Sequence, residues 1–392
     1  MKFLSFEYEV AIVGGGPAGS STSFFTSLNG VSTVLVEKKS IIGTPVKCGE
    51  FIPTLENMKK LIPKTEKVEK IYNFISKETI SNKTKFIKFY SPNNRPFEFK
   101  FEGLVLKRDL LEQTIVKKAE EKGTYVYLSS LVKSVVNNKG FKQVYIKNTN
   151  TKTEKMVCSR IIVGADGFPS NVAKWMDMKS GYSRKDLALA IHSKMVNVET
   201  EEDTVEMFTG NQYVPGGYAW IIPKGDRIAN VGLGVRLSYF HSSKKKTILD
   251  FFNLFLKKHP IASKKLSKAH SISFSAKIVP VGGIVKETCK NGALLVGDAA
   301  GLVLAINGSG IPLAMLSGYI AGEVISNHIQ KGDVLNVYEK YLKKEIGEIV
   351  GRSVLYRRIA DKLMCSDLLF NGILRIIGVG NVSKVLKCEK LF

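Results

Sequence analysis

Residues 8–39 read YEVAIVGGGPAGSSTSFFTSLNGVSTVLVEKK and contain the pattern Gly14-x-Gly16-x-x-Gly19 between two apolar runs, VAIV and TVLV. The runs predict two strands, and the segment between them predicts a helix. Glycines at this spacing permit a tight turn, let the backbone approach a diphosphate, and let the helix pack closely on the strand. Glu37 ends the second strand at the spacing that holds a ribose hydroxyl. The stretch therefore predicts a dinucleotide-binding unit; the alternative is a glycine-rich structural turn.

Two later strands end in acidic residues beside glycine. RIIVGADG ends at Asp166 and Gly167, and GALLVGDAAG carries Asp298. Each alone also fits an ordinary turn after a strand. Between the glycine motif and these strands, Arg108 opens the amphipathic helix predicted by LKRDLLEQTIVKKAEEKG. In this order, over roughly residues 8–330, the motifs resemble the flavin-dependent oxidoreductases of the p-hydroxybenzoate hydroxylase superfamily.

The resemblance implies an α/β (α+β) fold with a Rossmann-like FAD-binding domain in separate pieces and a sheet-based substrate domain. We also expect a C-terminal helical region that covers the substrate tunnel, because FNGILRIIGVGNV is apolar for a surface tail. The expected ranges are 1–72, 103–178 and 272–335 for the FAD domain, 73–102 and 179–271 for the substrate domain, and 336–392 for the helical region.

The resemblance also implies FAD as the cofactor and a set of residues that bind it. Asp298 would hold a ribityl hydroxyl, and the helix after it would point its N-terminus at the flavin. Arg108 would contact the diphosphate region. The full set of expected cofactor contacts is Gly14, Gly16, Ala18, Gly19, Glu37, Cys48, Gly49, Arg108, Val132, Asp166, Asp298, Gly310 and Ile311.

Two motifs narrow the family. PVKCGEFIP, residues 45–53, resembles the P-x-K/R-C-G-E segment of geranylgeranyl reductases, which saturate isoprenoid chains. VPGGYAWIIPKGDRIANVGLG resembles their Y-x-W-x-F-P and G-x-G signature, with Ile222 where the family usually carries Phe. As a hairpin this segment presents Tyr218 and Trp220 on one face, which suits a polyprenyl chain. The alternative is a hairpin whose aromatic side chains pack inward.

Cys48 has several conceivable roles. A metal site is disfavoured because no other cysteine or histidine lies near it in sequence, and no metal is expected elsewhere. The resemblance places Cys48 beside the flavin, where its thiol would position the substrate or deliver a proton. A purely structural contact is the alternative to that catalytic role.

The resemblance implies an FAD-dependent reductase that hydrogenates the double bonds of geranylgeranyl chains, above all those of archaeal-type membrane phospholipids. A flavin-dependent halogenase is the main alternative, since GYAWIIP is close to its motif; it would need a lysine such as Lys77, Lys83 or Lys85. An aromatic monooxygenase, a non-catalytic flavoprotein and a lipid carrier are further alternatives. The electron donor is open between NAD(P)H and a ferredoxin.

Composition bounds the partners and the location. The net charge of +23 favours an anionic partner, and the absence of nucleic-acid motifs favours a membrane surface over nucleic acid. Five cysteines without C-x-x-C pairing indicate a reducing cytoplasm, with Cys365 and Cys388 as the pair to consider for a disulfide. Glu7 and Glu9 interrupt any apolar run that would make a signal peptide. We expect a cytoplasmic protein attached peripherally to the membrane.

The longest uncharged run lies between Asp298 and Glu323 and is long enough to span a bilayer. The resemblance favours another explanation, in which its small residues let the backbone pack against the isoalloxazine ring of FAD.

Overall fold

The computed structural model describes residues 7–241 and 246–391, which contain two eight-stranded sheets and eleven α-helices. The first sheet, here called the cofactor sheet, contains β1 (Tyr8–Val13), β2 (Thr33–Val36), β6 (Tyr125–Tyr127), β7 (Ser130–Asn138), β8 (Phe141–Asn148), β9 (Glu154–Gly164), β15 (Cys289–Lys290) and β16 (Ala293–Leu295). The second, the substrate sheet, contains β3 (Phe51–Pro53), β4 (Ile80–Tyr90), β5 (Pro96–Leu106), β10 (Leu187–Val196), β11 (Thr204–Phe208), β12 (Tyr218–Gly225), β13 (Ile228–Arg236) and β14 (His270–Pro280).

The cofactor sheet is parallel at its centre. Strands β16, β9, β1, β2 and β6 lie side by side in that order, and each neighbouring pair is parallel. The side chains of β1, β2 and β16 are mostly buried, as expected for the centre of a parallel sheet covered on both faces. The glycine turn after β1 and the acidic residue after β16 therefore lie at the same edge, because the carboxyl ends of parallel strands meet there.

The substrate sheet is mostly antiparallel, in the order β14-β10-β13-β12-β11-β4-β5-β3, with β11 and β4 parallel. One face packs on α6, whose Phe251, Phe252 and Phe255 are buried against β12 and β13 in a separate core. The opposite face points toward the cofactor sheet. The face that does not pack on α6 is therefore free to form the wall of a site.

The helices are α1 (Pro17–Leu28), α2 (Leu55–Leu61), α3 (Lys67–Tyr72), α4 (Arg108–Glu121), α5 (Asn171–Trp175), α6 (Ile248–Lys258), α7 (Ala262–Lys265), α8 (Ile311–Lys331), α9 (Val337–Leu342), α10 (Glu348–Leu363) and α11 (Asp367–Leu386). Helices α1 and α8 pack at very close range. A Cβ on Gly318 would lie 2.6 Å from the Ala18 carbonyl oxygen, and one on Gly322 would lie 2.6 Å from the Phe25 Cβ. Two glycines one turn apart therefore let the helix backbones touch.

This packing explains the second half of the long uncharged run. Only a short 3₁₀ turn, Gly297–Ala300, follows β16 directly, and α8 begins at Ile311 after a loop. The helical glycines of the run contact α1 rather than the site. From Ile311 onward the run is uncharged because α8 is a buried core helix, with fourteen of its residues buried. Residues 303–314 of the run line the cavity described below, and that they pack against the isoalloxazine ring stays a prediction.

The predicted strands and helices around the motifs are present, including the helix from Arg108 and the hairpin at β12 and β13. The hairpin turn itself lies at Asp226 and Arg227, both with positive φ. Helices α2 and α3 were not predicted, since the lysine-rich stretch there carries little periodic apolar pattern.

Strand pairing differs from the expected domain boundaries at three points. Residues 51–53 pair with β5, residues 103–106 continue β5, and β14 pairs along its whole length with β10. Residues 51–53, 103–106 and 272–280, assigned to the FAD domain from sequence, therefore lie in the substrate sheet. A boundary inside a strand carries no sequence signal, because the strand is apolar on both sides of it. Residues 1–6 and Phe392, included in the expected ranges, lie outside the described residues, as does part of the segment that carries the signal-peptide expectation.

The cysteine pair considered for a disulfide is not bonded. Cys365 is an exposed thiol that donates to the Lys362 carbonyl, while Cys388 is buried. All five cysteines, each within the described ranges, are free.

Candidate functional site

A cavity of about 810 Å³ lies between the two sheets and under the C-terminal helices. Its walls come from the carboxyl edge of the cofactor sheet, the free face of the substrate sheet, the loop before α8, and α10 and α11. This volume lies at the upper end of the range of small-molecule and cofactor pockets. All of the expected site residues line it except Gly19, which lies behind the glycine turn.

The glycine turn forms one end of the cavity. Gly14 has φ +103°, and a Cβ on Gly19 would lie 1.8 Å from the Gly14 carbonyl oxygen, so the turn requires both glycines. Helix α1 begins beside the cavity without a side-chain cap at Gly16, and Ala18 in its first turn lines the cavity. Its first N–H groups and the positive end of its dipole therefore face the space where a diphosphate would bind.

Glu37 lies next to this turn and is buried. Its two carboxylate oxygens accept backbone N–H groups from Gly15 at 2.7 Å and from Lys39 at 3.0 Å. The contacts fix the carboxylate at the end of β2, where it lines the cavity. This is the position that the ribose-binding prediction requires.

Arg108 approaches the glycine turn from the first residue of α4. Its Nη2 lies 4.0 Å from where a Cβ on Gly16 would be, and its Nε donates to Glu112 at 2.5 Å. Burial would lower the pKa of Arg108, but the charge of Glu112 and the hydrogen bond to it outweigh burial and raise that pKa above its ordinary value. Arg108 is thus a permanent cation beside the expected diphosphate position.

Asp166 and Val132 line the same region from β9 and β7. The Asp166 carboxylate already accepts three hydrogen bonds from the protein. The donors are the Ser170 hydroxyl and the N–H groups of Asn171 and Val172, the first two residues of α5. Burial raises the pKa of Asp166 although these hydrogen bonds oppose the shift. Val132 is an apolar wall residue.

Asp298, Gly310 and Ile311 form the opposite end. The Asp298 carboxylate pairs with Lys277 at 2.5 Å, and its other oxygen lies 3.7 Å from where a Cβ on Gly310 would be. The N-terminus of α8, at Gly310 and Ile311, faces the cavity without a side-chain cap. The helix that follows Asp298 is α8, which begins after a short 3₁₀ turn and a loop; that its N-terminus points at the flavin stays a prediction.

The Cys48 segment lies between these ends. The Cys48 sulfur accepts the Glu50 N–H at 3.3 Å, and Gly49 lies against Trp220 and Ile222. Glu50 has φ +67° and is held by a buried ion pair, in which Lys224 Nζ lies 2.7 Å from the carboxylate. Lys224 and Glu50 were not predicted as part of the site.

The aromatic wall is the hairpin of β12 and β13. Tyr218 and Trp220 both face the cavity, with ring centroids 5.8 Å apart. Trp220 lies over Gly232, where a Cβ would be 2.4 Å from the indole ring, so the G-x-G strand makes room for the aromatic side chain. Tyr218 donates its hydroxyl to the Asn307 carbonyl in the loop before α8 at 2.5 Å. The predicted face is present, and it lines a cavity rather than a packed core.

His192 and Asn230 are site residues that the sequence analysis missed. His192 on β10 lines the cavity, and burial together with the charges of Arg108 and Lys224 lowers its pKa to about 4. Asn230 lies below Trp220 and donates to the Cys48 carbonyl at 2.9 Å. The one signal in the sequence for His192 was its position in the strand β10, where alternate side chains share a face. Its neighbours in the site come from distant segments, so the sequence does not bring them together.

The C-terminal helices α10 and α11 line one side of the cavity. That they cover a substrate tunnel stays a prediction. Ile359 and Leu363 of α10 and Ile373 and Ile377 of α11 line the cavity with apolar side chains. Among the described residues, α11 is the one helix long and apolar enough to cross a membrane, with mean hydropathy 1.3 and 22% of that segment buried.

The residues present fit FAD. The uncapped starts of α1 and α8 face one cavity, Glu37 is fixed for a ribose, and Arg108 supplies the cation for a diphosphate. Within the described parts of the chain, no group of three or more His, Cys, Asp or Glu side chains is gathered to hold a metal.

Comparison with known proteins supports FAD as the cofactor. Residues 7–47 match the family model "FAD binding domain", and residues 186–279 match "Geranylgeranyl reductase catalytic domain". The digeranylgeranylglycerophospholipid reductase of Methanocaldococcus jannaschii is 32% identical over 376 residues, covering 94% of this chain and 90% of that protein. The protein of the same name from Methanococcus vannielii is 31% identical, covering 94% and 90%.

Two solved structures show the same fold. A geranylgeranyl bacteriochlorophyll reductase-like protein from Thermoplasma acidophilum superposes with a TM-score of 0.83 at 27% identity, covering 97% of this chain and 95% of that one. A triple mutant of a flavin-dependent brominase superposes with a TM-score of 0.72 at 18% identity, covering 98% and 96%, and shows the shared fold alone.

The fold and the site define an FAD-dependent oxidoreductase, which confirms the predicted fold class and cofactor. Within that class, the chain belongs to the geranylgeranyl reductase family, in agreement with the resemblance of its Cys48 and Trp220 motifs.

Proposed function

We propose that this protein hydrogenates the carbon–carbon double bonds of geranylgeranyl chains on archaeal-type membrane phospholipids. The observation that carries the proposal is the aromatic and apolar wall of Tyr218, Trp220 and α11, which continues the FAD cradle in one cavity. A polyprenyl chain needs such a wall because it binds by burial of apolar surface. The relatives at about 31–32% identity are named for a digeranylgeranyl lipid, which supports this substrate class.

Each reduction adds one hydride and one proton across a double bond. Bound reduced FAD supplies the hydride. The protein holds the chain against the aromatic wall and excludes water, because an isolated alkene offers no polar group to grip and positioning must lower the barrier.

Cys48 is the proposed proton donor. Its side chain lines the cavity together with Arg108, and its sulfur accepts the Glu50 N–H at 3.3 Å. The thiol is then reprotonated from solvent before the next double bond.

Anaerobic reoxidation of the flavin tests the proposal. Protein reduced with one equivalent of dithionite is mixed with digeranylgeranyl phospholipid, and the return of oxidised flavin absorbance is followed. We expect rapid reoxidation with the unsaturated lipid and none with the fully saturated lipid. Trp220→Ala should slow it at least tenfold, while Tyr125→Ala, an exposed aromatic on β6, should leave it unchanged. Absence of lipid-dependent reoxidation would exclude the reaction.

The positions of the three candidate lysines weaken the halogenase alternative. Lys77, Lys83 and Lys85 are exposed, and all three lie outside the lining of the cavity as the structure describes it.

The reductant is either NAD(P)H or a reduced ferredoxin. The positive net charge of the protein would attract an acidic ferredoxin. The sequence carries one glycine motif, which FAD would occupy, so no second such motif is left for a nicotinamide cofactor. Comparing the rates of flavin reduction by NADPH, NADH and reduced ferredoxin distinguishes them.

We further propose that the protein is cytoplasmic and attaches peripherally to anionic membranes through the outward faces of α10 and α11. These faces combine apolar and basic side chains, namely Leu355, Arg358 and Lys362 on α10 and Leu368, Leu369, Arg375, Ile376 and Val379 on α11. Leu368 and Ile376 are 85% and 81% exposed. The inner faces of the same helices line the cavity, so attachment here would bring the cavity to the lipid.

Sedimentation with vesicles tests this attachment. We expect binding to phosphatidylcholine vesicles that contain phosphatidylglycerol, weaker binding to phosphatidylcholine alone, and release by high salt. Leu368→Glu with Ile376→Glu should abolish binding, whereas Ile272→Glu with Phe274→Glu on β14 should not, although both β14 side chains are at least half exposed. Equal loss of vesicle binding in both double variants would contradict the proposed surface. A dimer in solution that dissociates only in the α11 variant would also contradict it, because the α11 face would then bind a second copy of the chain.

A further inference from the structure

The orientation of the Asn230 side chain is fixed by two neighbours of opposite character. Its Oδ1 accepts from the Trp220 indole Nε1 at 2.9 Å, and its Nδ2 donates to the Cys48 carbonyl at 2.9 Å. The indole N–H can only donate and the carbonyl can only accept, so the amide cannot be turned over. The same Nδ2 therefore presents its second hydrogen to the next atom, which is His192 Nδ1 at 3.4 Å.

This contact fixes the tautomer of His192. Because a donor faces Nδ1, that nitrogen must be the acceptor, and the proton of the neutral ring is on Nε2. The ring is neutral at pH 7, since its pKa is lowered to about 4 by burial and by the cations Arg108 and Lys224. His192 Nε2 is buried and has no hydrogen-bond partner among the described residues. An N–H donor buried in this way costs free energy unless a bound group accepts from it.

The register of the substrate sheet shows where this donor lies. His192 pairs with Gly232, which pairs in turn with Trp220, so the three residues form one row across the free face, with Cys48 above Asn230. The isoprenoid part of the proposed substrate contains no hydrogen-bond acceptor. The isoalloxazine ring of FAD carries carbonyl oxygens and ring nitrogens that accept.

We propose that His192, held as the Nε2–H tautomer by Asn230, donates a hydrogen bond to the isoalloxazine ring of bound FAD and favours its reduction. The inference rests on the FAD-dependent reaction proposed above and assigns a cofactor-tuning residue to it. The same geometry excludes His192 as a proton relay, because Nδ1 faces the Asn230 amide rather than a proton source.

The test uses the FAD-loaded protein without lipid, so that its outcome is separate from that of the lipid reaction. The variants are His192→Leu, which removes the donor, His192→Gln, whose amide N–H can replace Nε2–H, and His259→Gln as control. His259 is also buried with its pKa lowered to about 4, but its Nδ1 caps α7 and it lies outside the cavity lining. The readouts are the visible spectrum and the midpoint potential of the flavin, with ¹⁵N NMR of the histidine rings.

We expect ¹⁵N shifts of the Nε2–H tautomer for His192 in the wild type. In His192→Leu the flavin spectrum should shift, and its reduction should become about tenfold less favourable, a midpoint about 30 mV lower for a two-electron couple. His192→Gln should recover at least half of the change, and His259→Gln should match the wild type. An unchanged potential and spectrum in His192→Leu would overturn the proposal. If His192→Leu fails to bind FAD, two other results would overturn the proposal. The first is an Nδ1–H tautomer of His192 in the wild type. The second is a midpoint potential of His192→Gln that differs from the wild type as much as that of an FAD-loaded His192→Asn variant does.

Discussion

At the scale of single residues, the site depends on a buried polar cluster beneath the Cys48 segment. Glu50 holds a backbone conformation with φ +67° that few non-glycine residues adopt. Lys224 compensates by joining the Glu50 carboxylate and the Leu106 carbonyl, at 2.7 and 2.8 Å. The ion pair thus ties the Cys48 segment to β12 and β5.

Lys224→Met should destabilise the protein strongly, because it leaves the Glu50 carboxylate buried without its partner. We expect a loss of about 3–5 kcal/mol in the free energy of unfolding, measured by urea denaturation of FAD-saturated protein. Adding Glu50→Gln to the variant should recover part of the loss. Lys64→Met, which breaks an exposed pair with Glu348, is the control and should cause no measurable change. Equal stability of the two lysine variants would contradict the role of the buried pair.

Two buried histidines make stability depend on pH. The pKa values of His192 and His259 are both lowered to about 4, below the ordinary value of 6.5, mainly by burial. The unfolded chain therefore binds protons on both between pH 6.5 and 4 while the folded chain does not. Their contribution to stability is fully present above pH 6.5 and is lost as the pH falls to 4, with a slope of up to about 1.4 kcal/mol per pH unit for each histidine.

Urea denaturation at intervals from pH 7.5 to 4.5 measures this slope. His259→Gln should lose less stability over that interval than the wild type, because one of the two linked protons is gone. Parallel curves for the two proteins would contradict the assignment.

Sequence predicted the residues whose type and spacing define the motifs. It missed residues, some of them inside the same motifs, whose role depends on contacts between distant strands. Cys48, Tyr218 and Trp220 are recognisable because their neighbours in sequence are part of the same pattern. His192 reaches Asn230 only because β10 pairs with β13, and Lys224 reaches Glu50 from a strand far along the chain. Such contacts depend on register, which local periodicity does not determine.

At the scale of elements, the close contact of α1 and α8 positions both helix N-termini at the cavity. Gly318 lies where α8 crosses the first turns of α1, and its contacts include the Ala18 carbonyl and Ser21. The uncharged run that holds Gly318 predicts burial but not what it packs against, since small residues suit a helix, a cofactor and a membrane equally.

Gly318→Val should therefore destabilise the protein and weaken FAD retention together. A Cβ at 2.6 Å from a backbone oxygen forces the helices apart, at a cost of about 1–3 kcal/mol. Thermal unfolding and the fraction of FAD retained after gel filtration measure the two effects. Gly351→Ala in α10, with no described atom within 4 Å of the added Cβ, is the control and should stabilise by up to about 1 kcal/mol. A Gly318 variant as stable as the wild type would contradict the close-packing account.

At the scale of the whole molecule, three distant parts of the chain form one cavity. The cofactor sheet supplies the FAD cradle, the substrate sheet supplies the aromatic wall, and α10 and α11 close the space with apolar side chains. The loop before α8 joins all three, since Asn307 accepts from Tyr218 and donates to the Leu386 carbonyl of α11. The division into cofactor, substrate and C-terminal parts is predictable from motif order, but the sheet boundaries follow strand pairing that the motifs do not encode.

The central claim is that this cavity brings a geranylgeranyl chain to FAD for stepwise hydrogenation. The most direct measurement is mass spectrometry of digeranylgeranyl phospholipid after incubation with the FAD-loaded protein and dithionite. We predict a ladder of products that gain two hydrogens for each double bond reduced, and a shorter ladder with Trp220→Ala. A lipid of unchanged mass, together with chlorination of an aromatic compound when halide and oxygen are supplied, would contradict the claim and favour the halogenase.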